Sequence, residues 1–375
     1  MTAGVYLHIP FCKSRCSYCD FATDVYRDSG AVAKYVDAIC SEISRWRPPD
    51  GGTMNADTIY FGGGTPSLLD PGQVSRILTA VQEAFEISPH AEITMEMNPA
   101  TVTRESLAAY RELGVNRASF GVQTFDDRDL KLLARGHDAD DARITLRMLR
   151  DAGFRNISFD LIAGLPGQTV DNWRKNLDEA IALSPEHISL YLLEVHEGTP
   201  LAEQLRSGRR PLPDDDVAAE MYEIMLDRLS TAGYEQYEIS NFSRPGFESR
   251  HNTKYWRMAP VYGFGVSAHS FDGRERYANE RDTAKYVEMI GTSGSAEVMR
   301  ESVNIASEFI FLGLRLEEGV SVREYEQRFG RDVYAEYSGE IDELKDQALI
   351  EASSDRISLT RRGKLFSNDV FAAFL

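Results

Sequence analysis

Three of the four cysteines of this 375-residue chain lie close together near its start, in the stretch "HIPFCKSRCSYCDF" at residues 8–21. Cys12, Cys16 and Cys19 follow the spacing C-x₃-C-x₂-C. Such a group can be a disulfide framework, a metal site or a coincidence. Disulfides are rare in cytosolic proteins, and zinc normally takes four ligands, often from paired C-x₂-C motifs. Three thiolates at this spacing can instead hold three irons of a 4Fe-4S cluster and leave the fourth iron open.

The elements that must position this loop alternate between strands and helices. From Gly4 to about Glu194, short β-branched or aromatic runs alternate with amphipathic helical stretches, which is typical of repeated βα units around a parallel sheet. The fourth cysteine, Cys40, falls on the apolar face of the first predicted helix, as a small core residue would. The predicted strands are "GVYLHI", "TIYFGG", "EITMEM", "RASFGV", "ISFDLIAG" and "HISLYLLE", and the predicted helices span about 31–46, 71–85, 103–113, 138–152 and 169–182.

Six βα units are fewer than the eight of a closed barrel, so we expect an α/β fold with a partial (β/α)6 barrel at residues 1–214. The Pro- and Asp-rich segment at 209–216 interrupts the alternation, and a helix at about 217–232 follows it. We expect a connecting segment at 215–300. The remaining residues, 301–375, have the pattern of helices and a short strand pair that closes on a helix, which resembles a small winged-helix-like module in an α+β region.

The charge of the chain excludes some classes of partner. Its formal net charge is −18 at pH 7, which repels phosphate backbones. We therefore expect no nucleic-acid partner, and we expect the winged-helix-like module to serve packing or a lid. The sequence contains no run of about 18 apolar residues and no signal-peptide pattern at its start. This predicts a cytoplasmic protein that is not integral to a membrane.

Polar residues follow several of the predicted strands. The segment "YFGGGTPS" at 60–67 follows the second strand, where three glycines allow the backbone to approach a ligand and Thr65 adds a hydroxyl. Glu96 and Gln123 end the third and fourth strands, and Asp160 lies in the fifth. Groups at successive strand ends can accept ribose hydroxyls or an adenosine amino group. A glycine-rich turn and ordinary capping side chains are the alternatives.

Together with Tyr18 before the last cysteine, the cysteine loop resembles the hallmark of the radical S-adenosylmethionine (radical SAM) superfamily. The resemblance implies that Cys12, Cys16 and Cys19 ligate a 4Fe-4S cluster, whose open iron is chelated by the amine and carboxylate of S-adenosylmethionine. One electron from the reduced cluster then cleaves the sulfonium to give a 5′-deoxyadenosyl radical. The glycine segment is similar to the one that contacts the methionyl amine in that superfamily.

The segments "YLHIPFC", "FGGGTPS", "GVQTFDD", "LARGH" and "DLIAGLPGQT" extend the resemblance over nearly the whole chain. They are similar to the oxygen-independent coproporphyrinogen III dehydrogenase (HemN-like) family and to its relatives, the HemW-type haem chaperones. The resemblance implies that a set of residues contacts S-adenosylmethionine. These residues are Tyr6, Tyr18, Gly63, Gly64, Thr65, Glu96, Gln123, Arg135 and Asp160.

Two departures separate this chain from the dehydrogenase. Phe21 stands where the dehydrogenase loop has a fourth cysteine, and Met1 precedes Tyr6 by only a few residues where the dehydrogenase has a long extension. Conversely, "HNTKYW" at 251–256 matches the H-N-x-x-Y-W motif, which resembles the haem-binding signature of the chaperone group. It implies His251 as axial ligand of haem iron, with Tyr255 and Trp256 covering the macrocycle. A structural cluster of the four motif side chains is the alternative.

Two functions of different class follow from these patterns. The first is a haem chaperone that carries the cluster, S-adenosylmethionine and haem, and passes haem to a membrane or respiratory acceptor protein. An electron donor for the cluster is then a second expected partner. The alternative is an enzyme, an oxygen-independent coproporphyrinogen III dehydrogenase. The two departures favour the chaperone, and whether the radical reaction occurs stays open.

Overall fold

The computed structural model describes residues 2–26, 28–49, 51–212 and 214–375. In its first part, strands alternate with helices as expected. The elements are β1 (Ala3–Ile9), β2 (Phe11–Cys12), β3 (Asp24–Val25), α1 (Ser29–Arg45), β4 (Asn55–Gly63), α2 (Pro71–Ala84), β5 (Glu86–Met97), α3 (Arg104–Glu112), β6 (Arg117–Gln123), α4 (Asp127–Leu132), α5 (Ala139–Asp151), β7 (Ile157–Ala163), α6 (Val170–Leu183) and β8 (His187–Leu192).

Six of these strands form the centre of the sheet in the order β1-β4-β5-β6-β7-β8, and every neighbouring pair is parallel. Each of the six predicted strands and each of the five predicted helices is confirmed, with ends shifted by a few residues. The fold prediction, a partial (β/α)6 barrel, is confirmed as well. In parallel βα units the loops after the strands gather at one end of the barrel, which we call the cluster end because the cysteine loop follows β1 there.

Local sequence signals explain where these helices begin. Asp70 caps α2 by accepting a hydrogen bond from the amide of Gln73, whose side chain binds back to the amide of Asp70, and proline occupies the first turn. Side chains of Asp138 and Thr169 cap α5 and α6 in a similar way. Capping oxygens satisfy amides that have no partner inside the helix, so these residues stop each loop and start each helix.

The central strands have two unlike faces. Residues on the outer face are apolar and pack under the helices, whereas residues on the inner face are mostly polar and buried. Parallel strands that are covered by helices on both faces are usually apolar throughout, so this alternation indicates a barrel with a polar interior. On β6 the inner residues are Arg117, Ser119, Gly121 and Gln123, and the outer residues are Ala118, Phe120 and Val122.

The next part of the chain extends the same sheet on both sides. β10 and β9 add antiparallel to β8, while β11 pairs in parallel with β1 and carries β12, β13 and β14 beyond it. The division of the chain at residues 214 and 300 stays a prediction. The elements are α7 (Pro200–Arg206), α8 (Asp215–Thr231), β9 (Glu235–Glu238), β10 (Asn241–Ser243), α9 (Arg250–Trp256), β11 (Val261–Phe264), β12 (His269–Phe271), β13 (Glu275–Asn279), α10 (Thr283–Thr292) and β14 (Glu297–Ser302).

The last part has its own small sheet, β15-β17-β16, and its own apolar core. Helices precede a short strand pair that closes on helices, as the winged-helix-like pattern predicts. The elements are α11 (Ile305–Gly313), β15 (Val320–Ser321), α12 (Val322–Phe329), α13 (Val333–Glu336), α14 (Ser338–Asp346), β16 (Ile350–Ala352), β17 (Arg356–Leu359), α15 (Arg361–Leu365) and α16 (Ser367–Ala372).

Candidate functional site

The cysteine loop lies at the cluster end of the barrel. Cys12 ends β2, Cys16 and Cys19 lie in the irregular segment that follows, and all three are free thiols of intermediate exposure. Among the residues that the structure describes, no three His, Cys, Asp or Glu side chains converge closely enough to hold one metal ion. A 4Fe-4S cluster spreads its ligands over different irons, so three cysteines on one loop fit it without meeting at a single point.

Connected hydrogen bonds join two of the cysteine sulfurs to side chains outside the loop. The hydroxyl of Thr65 donates to the Cys12 sulfur at 3.6 Å, and a guanidinium nitrogen of Arg135 donates to the Cys16 sulfur at 3.4 Å. Asn98 joins the two donors, because its amide nitrogen donates to the Thr65 hydroxyl at 2.7 Å and its oxygen accepts from Arg135. Two of the three sulfurs are thus oriented by residues from other βα units.

Burial favours the protonated form of two of the three cysteines. Burial raises the pKa of the Cys12 thiol to about 11, although the Thr65 hydroxyl partly opposes the shift. Burial also raises the pKa of Cys19. Iron is bound by thiolates, so loading of the site must release these protons.

The glycine segment at the end of β4 passes very close to the end of β1. Gly63 has a positive φ of 110°, and a side chain there would lie 2.8 Å from the ring of His8. A side chain on Gly64 would lie 2.7 Å from the backbone of Pro10. Glycine is required at both positions because of this contact, which leaves the amide of Gly63 free to donate to Glu96 at 3.0 Å.

The strand-end residues predicted for S-adenosylmethionine lie on the inner face near the cluster end. Glu96 accepts a second hydrogen bond, from the Tyr60 hydroxyl at 2.8 Å, and burial raises its pKa to about 7. Burial also raises the pKa of Asp160, which accepts hydrogen bonds from the hydroxyls of neighbouring serines. Gln123 adopts a positive φ of 66°, a strained conformation for a residue with a side chain.

The two predicted tyrosines flank the cysteine loop. Tyr18 is partly buried close to Cys16 and Arg135, and this burial raises its pKa. The Tyr6 hydroxyl donates to Nδ1 of His8 at 3.1 Å, while Nε2 of His8 donates to the Ala22 carbonyl at 2.9 Å. The carbonyl can only accept, so the proton of neutral His8 is on Nε2. His8 therefore connects the inner face to the backbone just after the cysteines.

The predicted haem motif lies at the other end of the barrel, which we call the motif end. The motif forms α9, whose amides at Arg250 and His251 donate to the two carboxylate oxygens of Glu92 at 3.2 and 3.1 Å. His251 is only 1% exposed and points to the inner face. Burial, with nearby Lys254 and Arg117, lowers its pKa to about 3, so its ring is neutral.

The three predicted haem residues point to different places. Nδ1 of His251 lies 2.9 Å from the Thr58 hydroxyl and Nε2 lies 3.2 Å from the Tyr255 hydroxyl, so both ring nitrogens have partners. Trp256 packs instead against the core of the last part of the chain, with the Arg315 guanidinium 4.2 Å from its ring centre. Haem ligation by His251 stays a prediction, and this arrangement offers no free nitrogen for it.

Sequence reasoning missed two residues that organise these ends. Asn98 links the Thr65 and Arg135 donors behind the cysteines, and Glu92 anchors α9. Asn98 follows Glu96 by two residues, so its position just after a strand was the available signal. No sequence signal marks Glu92, since its partner amides come from residues about 160 positions later.

Residues 6–180 match the radical SAM superfamily, and residues 303–366 match the HemN C-terminal domain. The cysteine loop, the glycine segment and the partial barrel therefore define a radical SAM protein. Among the residues that the structure describes, no helix is long and apolar enough to cross a membrane.

Similarity over the full length identifies the family. "Heme chaperone HemW" of Bacillus subtilis is 37% identical and covers 99% of both chains, and the Escherichia coli protein of that name is 33% identical, covering 99% of this chain and 98% of its own. The chain belongs to the HemW family, so the resemblance noted in the sequence is confirmed. The solved structure of coproporphyrinogen III oxidase (HemN) from Escherichia coli has a TM-score of 0.87 at 24% identity, covers 100% of this chain and 90% of its own, and shows the shared fold.

Proposed function

We propose that this protein is a haem chaperone: it binds haem and transfers it to an acceptor protein, and it carries a 4Fe-4S cluster with exchangeable S-adenosylmethionine. The observation that carries the proposal is the similarity to proteins named heme chaperone HemW over 99% of the chain. The three cysteines and the polar groups around them at the cluster end support the proposal of a 4Fe-4S cluster with S-adenosylmethionine. We place the protein in the cytoplasm, and we expect a membrane or respiratory acceptor.

In this proposal Cys12, Cys16 and Cys19 ligate three irons of the cluster. The bound cluster supplies one electron and an open iron that chelates the methionyl group of S-adenosylmethionine. A reductase or another electron donor is therefore a further partner.

The residues around the cluster orient and bind S-adenosylmethionine. The arginine and the threonine hydroxyl that donate to sulfur also partly neutralise the thiolates, and the glycine segment lets the backbone approach the methionyl group. The strand-end carboxylates are positioned to accept hydroxyl or amino hydrogens. The proposed contacts are Tyr6, Tyr18, Gly63, Gly64, Thr65, Glu96, Gln123, Arg135 and Asp160.

The proposed haem site includes Tyr255 and Trp256, on the helix that carries the family motif. Both are large aromatic residues, which can cover a flat apolar macrocycle. His251 does not fit the role of axial ligand in the arrangement described above, because each of its ring nitrogens already has a hydroxyl partner. We therefore assign no step of haem transfer to His251.

The competing function is porphyrinogen oxidation. Phe21 occupies the position of the dehydrogenase's fourth cysteine and its side chain is 62% exposed at the cluster end. The likeness to the solved oxidase concerns the fold alone. The exposed phenylalanine cannot ligate iron, so the loop offers the three-cysteine set only.

One experiment separates the two functions. Anaerobically reconstituted protein is given coproporphyrinogen III, S-adenosylmethionine and reductant in one vessel, and haem in another. We expect no protoporphyrinogen in the first, a saturable shift of the Soret band in the second, and transfer of the bound haem to an added apo-haemoprotein. Turnover of the porphyrinogen without saturable haem binding would overturn the proposal.

A further inference from the structure

The motif helix α9 connects the predicted haem site with the proposed S-adenosylmethionine site through one buried side chain. We propose that His251 is a positioning residue, which supports the Tyr60–Glu96 pair from the inside of the barrel, and that it is not a ligand of haem iron. The part of this inference that concerns haem rests on the proposed function. The part that concerns S-adenosylmethionine rests on the hydrogen bonds and ring contacts at the inner face.

The first argument is the saturation of the imidazole. Neutral histidine has one N–H donor and one acceptor nitrogen, and both nitrogens of His251 are engaged, by Thr58 at 2.9 Å and by Tyr255 at 3.2 Å. A haem iron is surrounded by its porphyrin ring, so an axial nitrogen must face a space as wide as that ring. His251 is 1% exposed and is surrounded by side chains of the barrel interior.

The second argument is the anchoring of the helix. His251 could reach a haem only if α9 moved out of the barrel. That movement breaks the two hydrogen bonds that α9 amides donate to Glu92, the Ser249 cap on the amide of Asn252, and the partly buried ion pair between Lys254 and Asp57 at 2.7 Å. Hydrogen bonds to charged groups are among the stronger ones, and each lost bond leaves a buried polar group without a partner. These bonds hold His251 where it is.

The third argument is what the ring touches. Its centre lies 5.0 Å from that of Tyr60, with the two planes tilted by 30°, and Tyr6 packs beside both rings. The Tyr60 hydroxyl donates to Glu96, whose other oxygen accepts from the amide of Gly63. Packing on His251 therefore restricts where Tyr60 and then Glu96 can lie. Removing the imidazole leaves a cavity against Tyr60 and two hydroxyls without partners.

The test uses the full chain, reconstituted anaerobically, with three variants. His251→Ala removes the imidazole that packs on Tyr60. His251→Gln keeps a side-chain amide, which can bond both hydroxyls but is a poor iron ligand. His196→Ala removes an imidazole that is 44% exposed, far along the sequence from the motif, and serves as control. The measurements are the S-adenosylmethionine Kd by anaerobic equilibrium dialysis, the Soret and visible spectrum during haem titration, and thermal unfolding of the apo-protein.

We expect His251→Ala to weaken S-adenosylmethionine binding about 10-fold, as the loss of a buried hydrogen-bonded group does, and His251→Gln to restore it to within about 3-fold. Haem affinity and the haem spectrum should be the same in the parent, in His251→Gln and in the control. Loss of the haem spectrum in both His251 variants, with S-adenosylmethionine affinity unchanged, would overturn the inference. A parent protein that binds no haem would refute the proposed function, while the S-adenosylmethionine measurements would still decide the role of His251.

Thr58→Val keeps the test decisive where His251→Ala does not fold. The substitution removes only the hydroxyl at Nδ1 of His251. If His251 is a positioning residue, the haem spectrum and affinity stay unchanged. If it is an iron ligand, the freed nitrogen raises haem affinity, and that result would count against our assignment.

Discussion

The two ends of the barrel are built from the same strands but use their polar residues differently. At the cluster end the three cysteines are of intermediate exposure, and the sulfurs of Cys12 and Cys16 accept hydrogen bonds from Thr65 and Arg135. At the motif end the imidazole of His251, both oxygens of Glu92 and the ammonium of Lys254 are buried and bonded to other residues of the chain.

The same difference is found along a single strand. On β5, Glu92 at the motif end fastens a helix, whereas Glu96, four residues later, lies beside the glycine segment with a pKa raised to about 7 by burial. Loops after the strands form active sites in barrel folds, while the opposite end usually contributes stability. The hydrogen bonds from α9 to Glu92 agree with that rule, whereas the sequence motif predicts a haem ligand at this end.

The largest effect should come from the cluster end. We expect Cys12→Ala to lose the iron and the broad absorbance near about 400 nm of a 4Fe-4S protein, because two cysteines cannot hold the cluster. Iron content and the absorbance spectrum after anaerobic reconstitution measure the effect. Cys40→Ala is the control, since Cys40 packs partly buried on α1 and should leave the iron in place. Full iron content in Cys12→Ala would show that Cys12 does not ligate a cluster at this end of the barrel.

The next effect should come from the motif end and concern stability. Glu92→Ala leaves two helix amides without partners, so we expect the free energy of unfolding to fall by about 2–4 kcal/mol, with iron content unchanged. Urea unfolding of the apo-protein measures it. Glu105→Ala, an exposed residue in the first turn of α3, should change stability by less than about 0.5 kcal/mol. Loss of iron in Glu92→Ala would contradict the separation of the two ends.

A matched pair of asparagines tests whether the cluster end affects cofactor binding while the motif end affects stability. Asn98→Ala breaks the link between Thr65 and Arg135, so we expect about 10-fold weaker S-adenosylmethionine binding. Asn116→Ala breaks hydrogen bonds to the backbone of Ala91 and Ile93 in β5 and should lower stability while leaving that affinity unchanged. Equilibrium dialysis and urea unfolding give the two readouts. Equal loss of affinity in both variants would show that the ends are not separate.

The smallest effect is a dependence on pH. The pKa of Glu96 is raised to about 7 in the folded protein, so the folded state binds this proton more tightly than the unfolded state. The free energy of unfolding of the apo-protein should therefore decrease as pH rises from about 4.5 to about 7, and Glu96→Gln should flatten part of this slope. Urea unfolding at several pH values measures it.

Glu42 provides the comparison for that slope. Its pKa is also raised to about 7 by burial, but it bonds Tyr286, Asn279 and Gly265, none of which is a proposed contact of S-adenosylmethionine. Glu42→Gln should remove a different part of the same slope. A Glu96→Gln variant with the full slope of the parent would show that the pKa of Glu96 is not raised in the folded protein.

The cluster end could be predicted because its chemistry is local in sequence. Three cysteines on one loop, glycines after the next strand and acids at strand ends all follow the βα periodicity, which brings the ends of parallel strands together. The six strands, the helices and the partial barrel followed from the same periodicity. Even so, Asn98 was missed, because only the fold shows that it bridges Thr65 and Arg135.

Only the tertiary structure determines which groups His251 contacts at the motif end. The sequence determined that His251 lies in a family motif and that its helix begins after Ser249, whose side chain caps it. Whether an imidazole is a free ligand depends on which hydroxyls and rings surround it. Apart from Tyr255 on the same helix, they come here from β1 and β4, about 190 residues or more away. Periodicity places a side chain on a face, but only the packed barrel determines its hydrogen-bond partners.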